Sequence, residues 1–192
     1  VAAGVWFIVR YGVEMPSGGY IWLFVGSLLT LLITGVCALV FSDLKKIVAL
    51  STCNNIAWCL VYYCCGDWLL VMFQLLVHGL SKCVLFMLVG DVMSASSGSQ
   101  SYLGVYSARY SGGYGVSLLS LLIFSLCGLP FMGIFFVKHF FLVGSLSSVL
   151  SLVSMVFLFL GFFVSYMYSM RFMLILCGGC CGLVSGYIVS FL

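Results

Sequence analysis

Three polar side chains recur at helical spacing inside one long apolar run: Gln74, His78 and Lys82. Residues at i, i+4 and i+8 share one face of an α-helix, so an amide, an imidazole and an amine stack along a single stripe. Groups of this kind can pass a proton along the stripe through intervening water, since imidazole titrates near neutral pH and an amine can lose its charge. The same stripe can also serve only to pin helices together by hydrogen bonds. Position favours proton transfer, because Lys82 lies too deep in the run to reach water by extending its stem. An ionisable group kept inside a bilayer is costly enough to be read as a functional site by default.

Two further groups carry the same argument. Asp43, Lys45 and Lys46 follow Ser42 at the start of another apolar run, a helix-start signal. Asp43 there either caps the positive end of the helix dipole at headgroup level or belongs to a charge pathway. Ser51, Thr52, Asn54 and Asn55 continue the polar character deeper. A stripe of this kind is wasteful against lipid, so the helix is expected to face protein or water. Lys138 and His139 follow Cys127-Gly128-Leu129-Pro130 in the next apolar stretch. Proline removes a backbone donor and clashes with the preceding turn, so a helix over residues 114–144 is expected to break there. Broken membrane helices offer free carbonyls and amides to an ion; a lysine at the interface of a kinked span is the plainer alternative.

The elements that must hold these residues follow from composition. Of 192 residues, 65% are apolar and 6% charged, with a mean hydropathy of +1.32. About a quarter of a soluble domain is charged, so this chain has to be solvated by lipid. Only helices and closed barrels satisfy their backbones there, and apolar runs of ~20 residues select helices. The expected fold is an all-α integral membrane protein, an antiparallel transmembrane helix bundle with one Pro-interrupted helix. A single transmembrane domain covers residues 1–192, with a polar loop at about 94–113. Complete spans are expected over residues 20–41, 42–65, 68–93 and 146–176 besides the interrupted one, with partial spans at 1–9 and 177–192. Position 1 is Val and the chain stops inside an apolar run, so both ends are expected to continue.

A net charge of +3 does not suggest nucleic acid as a partner, and the absence of a glycine-rich phosphate loop argues against a bound nucleotide. Cys37, Cys53, Cys59, Cys83 and Cys127 are scattered singly in apolar runs, where cysteine behaves as a small hydrophobe. The spacing Cys177-Gly-Gly-Cys180-Cys181 has no second pair or histidine near it, so neither a metal nor another cofactor is expected in this chain.

These residues, in this order, resemble the antiporter-like subunits of respiratory complex I. The run Ser42-Asp43-Leu44-Lys45-Lys46-Ile47-Val48-Ala49-Leu50-Ser51-Thr52 is similar to that family's D-[IL]-K-[KR]-x-[LIV]-A-x-S-[ST] signature. Phe73-Gln74-Leu75-Leu76-Val77-His78-Gly79-Leu80-Ser81-Lys82 and Gly128-Leu129-Pro130-Phe131, leading to Lys138, also match. Val1 to Val5 with Arg10, and Tyr168-Ser169-Met170-Arg171, resemble flanking motifs, so the likeness runs from Val1 to about Arg171. Within the family, the His78–Lys82 pair and the Tyr168-to-Arg171 tail resemble the fifth-subunit branch, with the fourth-subunit branch its nearest competitor.

The resemblance implies a multi-pass protein of the mitochondrial inner membrane. Its partners would be the lipid bilayer and other membrane-arm subunits. It would contribute a proton half-channel coupled to electron transfer from NADH to ubiquinone, with redox chemistry carried by other subunits. It further implies that His78, Lys82 and Lys45 belong to a central hydrophilic axis, that Lys138 is its terminal lysine, and that Asp43 is the acidic partner. Gln74 stands where many members have a second histidine, and His139 replaces an acidic residue. The family's upstream half, with its glutamate–lysine pair, and its lateral helix are not found in these residues, so one half-channel is expected. A stand-alone cation/proton antiporter subunit and a non-conducting structural subunit are the alternatives.

Overall fold

In the computed structural model, residues 2–12, 16–95, 98, 101, 112–147 and 152–177 are described. The expected segment at 177–192, with Cys180 and Cys181, lies outside them apart from Cys177, as does most of the polar loop, with Arg109. The described residues form helices α1 (Ala2–Tyr11), α2 (Ser17–Val40), α3 (Leu44–Cys64), α4 (Trp68–Ala95), α5 (Gly112–Cys127), α6 (Phe135–Ser147) and α7 (Leu152–Cys177). No strand occurs among them, only an isolated antiparallel bridge between Asp43 and Ser101. The spans Gly18–Val40, Leu44–Cys64, Trp68–Ser94 and Leu152–Leu176 are long and apolar enough to cross a membrane. The all-α membrane architecture is therefore as expected, with helix ends shifted by a few residues.

Local chemistry sets the ends. Pro16, with φ −64°, precedes α2, where its missing N–H costs nothing because the first amides of a helix have no intrahelical acceptor. Asp43 occupies the N-cap of α3 but makes no side-chain capping bond. Its carboxylate pairs instead with Lys46 at 2.8 Å, one turn on. Between α3 and α4, Gly66 has φ +92°, and the Asp67 amide donates back to the Tyr62 carbonyl at 3.1 Å. This is the glycine-closed helix end that lets the chain reverse direction tightly.

Helix α3 is the interior element. About 61% of its apolar window is buried, against 28–33% for the other three long helices. It packs against α1, α2 and α4, while α2 and α5 pack on α7. One apolar core gathers Leu31, Trp58, Tyr62, Phe141 and Leu158. A second gathers Leu44, Val48, Leu85, Leu119 and Phe172.

Where α2 meets α7 the backbones come close, since a Cβ on Gly35 would lie 2.5 Å from Val164 Cγ1 and one on Gly161 2.0 Å from Leu31 Cδ2. Lipid gives helices little hydrophobic reason to associate, so small residues that permit close packing carry the contact. The seam ends in a polar clamp. Arg171 of α7 donates to the Ala38 carbonyl at 3.1 Å and to that of Leu39. These are last-turn carbonyls of α2, which have no intrahelical donor, and a cation suits that end of the dipole.

Two outcomes follow for stability. Gly35→Leu is expected to cost roughly 1–3 kcal/mol by overpacking against Val164. Gly26→Leu, at a position with open space around its Cβ direction, should have little effect; thermal unfolding of the two in detergent checks this. Arg171→Met is expected to cost about 1.5–3 kcal/mol by removing a charged donor from the α2 carbonyls, measured in the same way.

Candidate functional site

The deepest polar groups form a hydrogen-bonded chain between α3 and α4. Lys82, only 4% exposed, donates from Nζ to the Val48 carbonyl at 3.0 Å and to Ser51 Oγ. Asn55 Nδ2 donates to the Ser51 carbonyl at 2.9 Å, and Gln74 Nε2 donates to Asn55 Oδ1 at 3.1 Å. Asn54 Nδ2 reaches across to Tyr168 OH on α7 at 3.3 Å. The stripe Ser51, Asn54 and Asn55 thus faces protein, as expected of a polar face in a membrane helix. Thr52 is only half-buried and turns its hydroxyl back on the Ala49 carbonyl.

The α4 stripe is arranged differently from a simple stack. Gln74, His78 and Lys82 are all buried on one face, yet Gln74 and Lys82 bond across to α3 rather than along their own helix. His78 Nε2 and Gln74 Oε1 have no hydrogen-bond partner among the described residues. Buried polar atoms of this kind cost free energy unless something meets them, so the α3–α4 seam is a polar seam among the described residues.

A second buried lysine sits at the helix break. Helix α5 ends at Cys127 and α6 starts at Phe135, and residues 128–134, with Pro130, form the turn between them. Gly128 has φ +86°, and a Cβ there would lie 3.1 Å from Lys138 Cδ, so glycine is required both by the backbone and by the lysine stem. The end of α5 leaves carbonyls to be satisfied. Phe124 O accepts from the amides of Gly128 and Leu129, and Ser125 O from that of Ile134. Cys127 O accepts from Lys138 Nζ at 2.7 Å. Ser165 Oγ of α7 is 3.4 Å from the same nitrogen.

The Lys138 ammonium also lies 5.5 Å from the Trp58 ring centre and 5.0 Å from that of Phe162. A desolvated cation over such a face gains up to about 2 kcal/mol. No carboxylate of the described residues pairs with Lys82 or Lys138; the one ion pair among them is Lys46–Asp43.

Beside Lys82 lies a cavity of about 20 Å³, lined by Ser51, Lys82, Cys127, Tyr168 and Ser169 with Leu85, Ile123, Leu126 and Phe172. That is room for about one water molecule with several polar neighbours. Lys82 forms one wall, and Cys127, whose carbonyl holds Lys138, forms another.

The remaining expected site residues lie apart. Lys45 is exposed in the first turn of α3 and makes no hydrogen bond or ion pair among the described residues. Asp43 is half-buried and engaged with Lys46. His139 is exposed, its ring 5.5 Å from that of Phe135. Sequence reasoning missed Trp58 and Ser165, and gave Tyr168 a place in a flanking motif but no role in the site. Trp58 and Ser165 read as ordinary residues of apolar spans, although Asn54 inside such a span was a sign that another helix had to supply a partner.

The family described as NADH:quinone oxidoreductase/Mrp antiporter, transmembrane, matches residues 1–165. The NADH-ubiquinone oxidoreductase chain 5 of Apis mellifera ligustica is 30% identical over 178 residues, covering 92% of this chain and 32% of that protein. The protein of the same name from Anopheles gambiae is 31% identical over 172 residues, 89% of this chain and 30% of its own length. That from Mytilus edulis is 32% identical over 142 residues, 72% of this chain and 25% of its own. The chain spans about a third of the length of the first two relatives. With both lysine motifs inside the matched region, the chain belongs to the NADH:quinone oxidoreductase/Mrp antiporter transmembrane family.

Proposed function

We propose that this chain carries one proton half-channel of a complex I membrane subunit, the fifth-subunit branch, in the mitochondrial inner membrane. It works beside other membrane-arm subunits, in a complex whose electron transfer from NADH to ubiquinone takes place in other subunits, and binds no nucleotide, nucleic acid, metal or redox group of its own. Protons move between Lys82 and Lys138 through water, the cavity beside Lys82, walled in part by Ser51 and Tyr168, lying on the side of Cys127, which binds Lys138. His78 and Gln74 extend the path along α4. Lys45 and Asp43 belong at its periphery, next to the start of α3.

The observation that carries this reading is a pair of buried lysines with no carboxylate partner among the described residues, and a small cavity that reaches from Lys82 to Cys127, the residue whose carbonyl holds Lys138. A structural lysine would be expected to hold a fixed counter-charge, because an unpaired buried charge is strongly destabilising. Lysines held instead by neutral oxygens and π faces can change charge without stranding a partner ion. The relatives' printed name, chain 5 of NADH-ubiquinone oxidoreductase, supports complex I over a stand-alone antiporter.

In the intact subunit, Lys82→Met and Lys138→Met are each expected to slow proton translocation at least about tenfold, the scale of losing an acid–base group. Proton uptake by membrane vesicles supplied with NADH measures it, normalised to assembled complex. Unaltered translocation in both variants would overturn the proposal.

A further inference from the structure

Trp58 is fully buried, and its indole Nε1 has no hydrogen-bond partner among the described residues. Burying an unpartnered indole N–H costs free energy that leucine or phenylalanine would not. The N–H is therefore not what the position uses. What meets a charged group is the ring face, 5.5 Å from Lys138 Nζ, with Phe162 set edge-on to it at 5.1 Å. Trp58 also stands on the α3 face that serves the other lysine. Ser51 and Asn55 precede it by seven and three residues, the spacing of one helix side. Ser51 binds Lys82 there.

We infer that Trp58 is a positioning residue for proton transfer: its π face holds the Lys138 ammonium against the Cys127 carbonyl, and through α3 fixes Lys138 relative to Lys82. One helix face then holds both lysines, through Ser51 and Trp58, which stand roughly 10 Å apart along α3 at 1.5 Å per residue. Trp58 touches no substrate beyond Lys138; its effect passes through that amine. Tryptophan suits the task because its face attracts cations more strongly than that of phenylalanine.

The inference rests on the proton-transfer reading above, and the test separates the two. Trp58→Leu, Trp58→Met and Trp58→Phe are placed in the full-length subunit of the assembled complex, alone and combined with Lys138→Met. Proton translocation is normalised to the amount of assembled complex. Trp58→Leu and Trp58→Met are expected to lose on the order of tenfold in rate, and Trp58→Phe to recover much of it, following the order of cation–π strength. In the Lys138→Met background, removing Trp58 should cause no further loss, because the group it positions is gone.

Equal losses in Trp58→Phe and Trp58→Met would overturn the inference, as would losses that multiply with Lys138→Met, since both indicate packing alone. If Trp58→Leu fails to assemble, the Phe and Met variants decide. An unchanged rate in Lys138→Met likewise overturns this inference, and the function reading falls only if Lys82→Met is unchanged as well.

Discussion

The arrangement depends on holding two ammonium groups inside an apolar bundle without a carboxylate. Lys82 and Lys138 are 4% and 2% exposed, and a lone charge at that depth is strongly unfavourable. Each is met by a backbone carbonyl and a serine hydroxyl. Carbonyls are available to side chains chiefly where a helix stops using them. The break after Cys127 supplies one such place, and Gly128 lets the Lys138 stem pass close enough to reach it. Lys82 has no break nearby, so it draws on the polar face of α3, and α3 must then lie in the interior.

The bundle therefore has two kinds of seam. Between α2 and α7, glycines bring backbones together and Arg171 fastens the end. Between α3 and α4, amides and hydroxyls meet across the gap. The first needs close shape and tolerates no added side-chain volume at Gly35. The second needs donors and acceptors in register, and a small cavity opens beside its Ser51 and Lys82. Close packing and polar contact are thus concentrated at different seams, and α3 joins the two by packing on both α2 and α4.

Much of this was legible in the sequence, for identifiable reasons. Membrane helices show as long apolar runs, and a lysine within one stands out against that background. The i, i+4, i+8 face of α4, the polar stripe of α3 and the break near Pro130 were all readable from spacing. The partners were not. A backbone carbonyl such as Cys127 O has no residue type to betray it, and whether Lys82 bonds along α4 or across to α3 depends on how two helices are rotated. Trp58 was hidden because an aromatic residue in an apolar span is expected to pack. Lys45 shows the converse: its motif is plain in the sequence, yet its side chain is exposed and outside the hydrogen-bonded chain.

The two lysines spend their N–H bonds alike. An ammonium has three to give. Lys82 commits two of them, to Val48 O and Ser51 Oγ, with the Phe86 ring centre 5.9 Å from the nitrogen. Lys138 commits two to Cys127 O and Ser165 Oγ, with the Trp58 and Phe162 rings near the nitrogen. Each ammonium therefore keeps one N–H beyond these bonds, beside aromatic rings rather than a carboxylate. By valence alone, a third acceptor such as water costs neither lysine a bond already made.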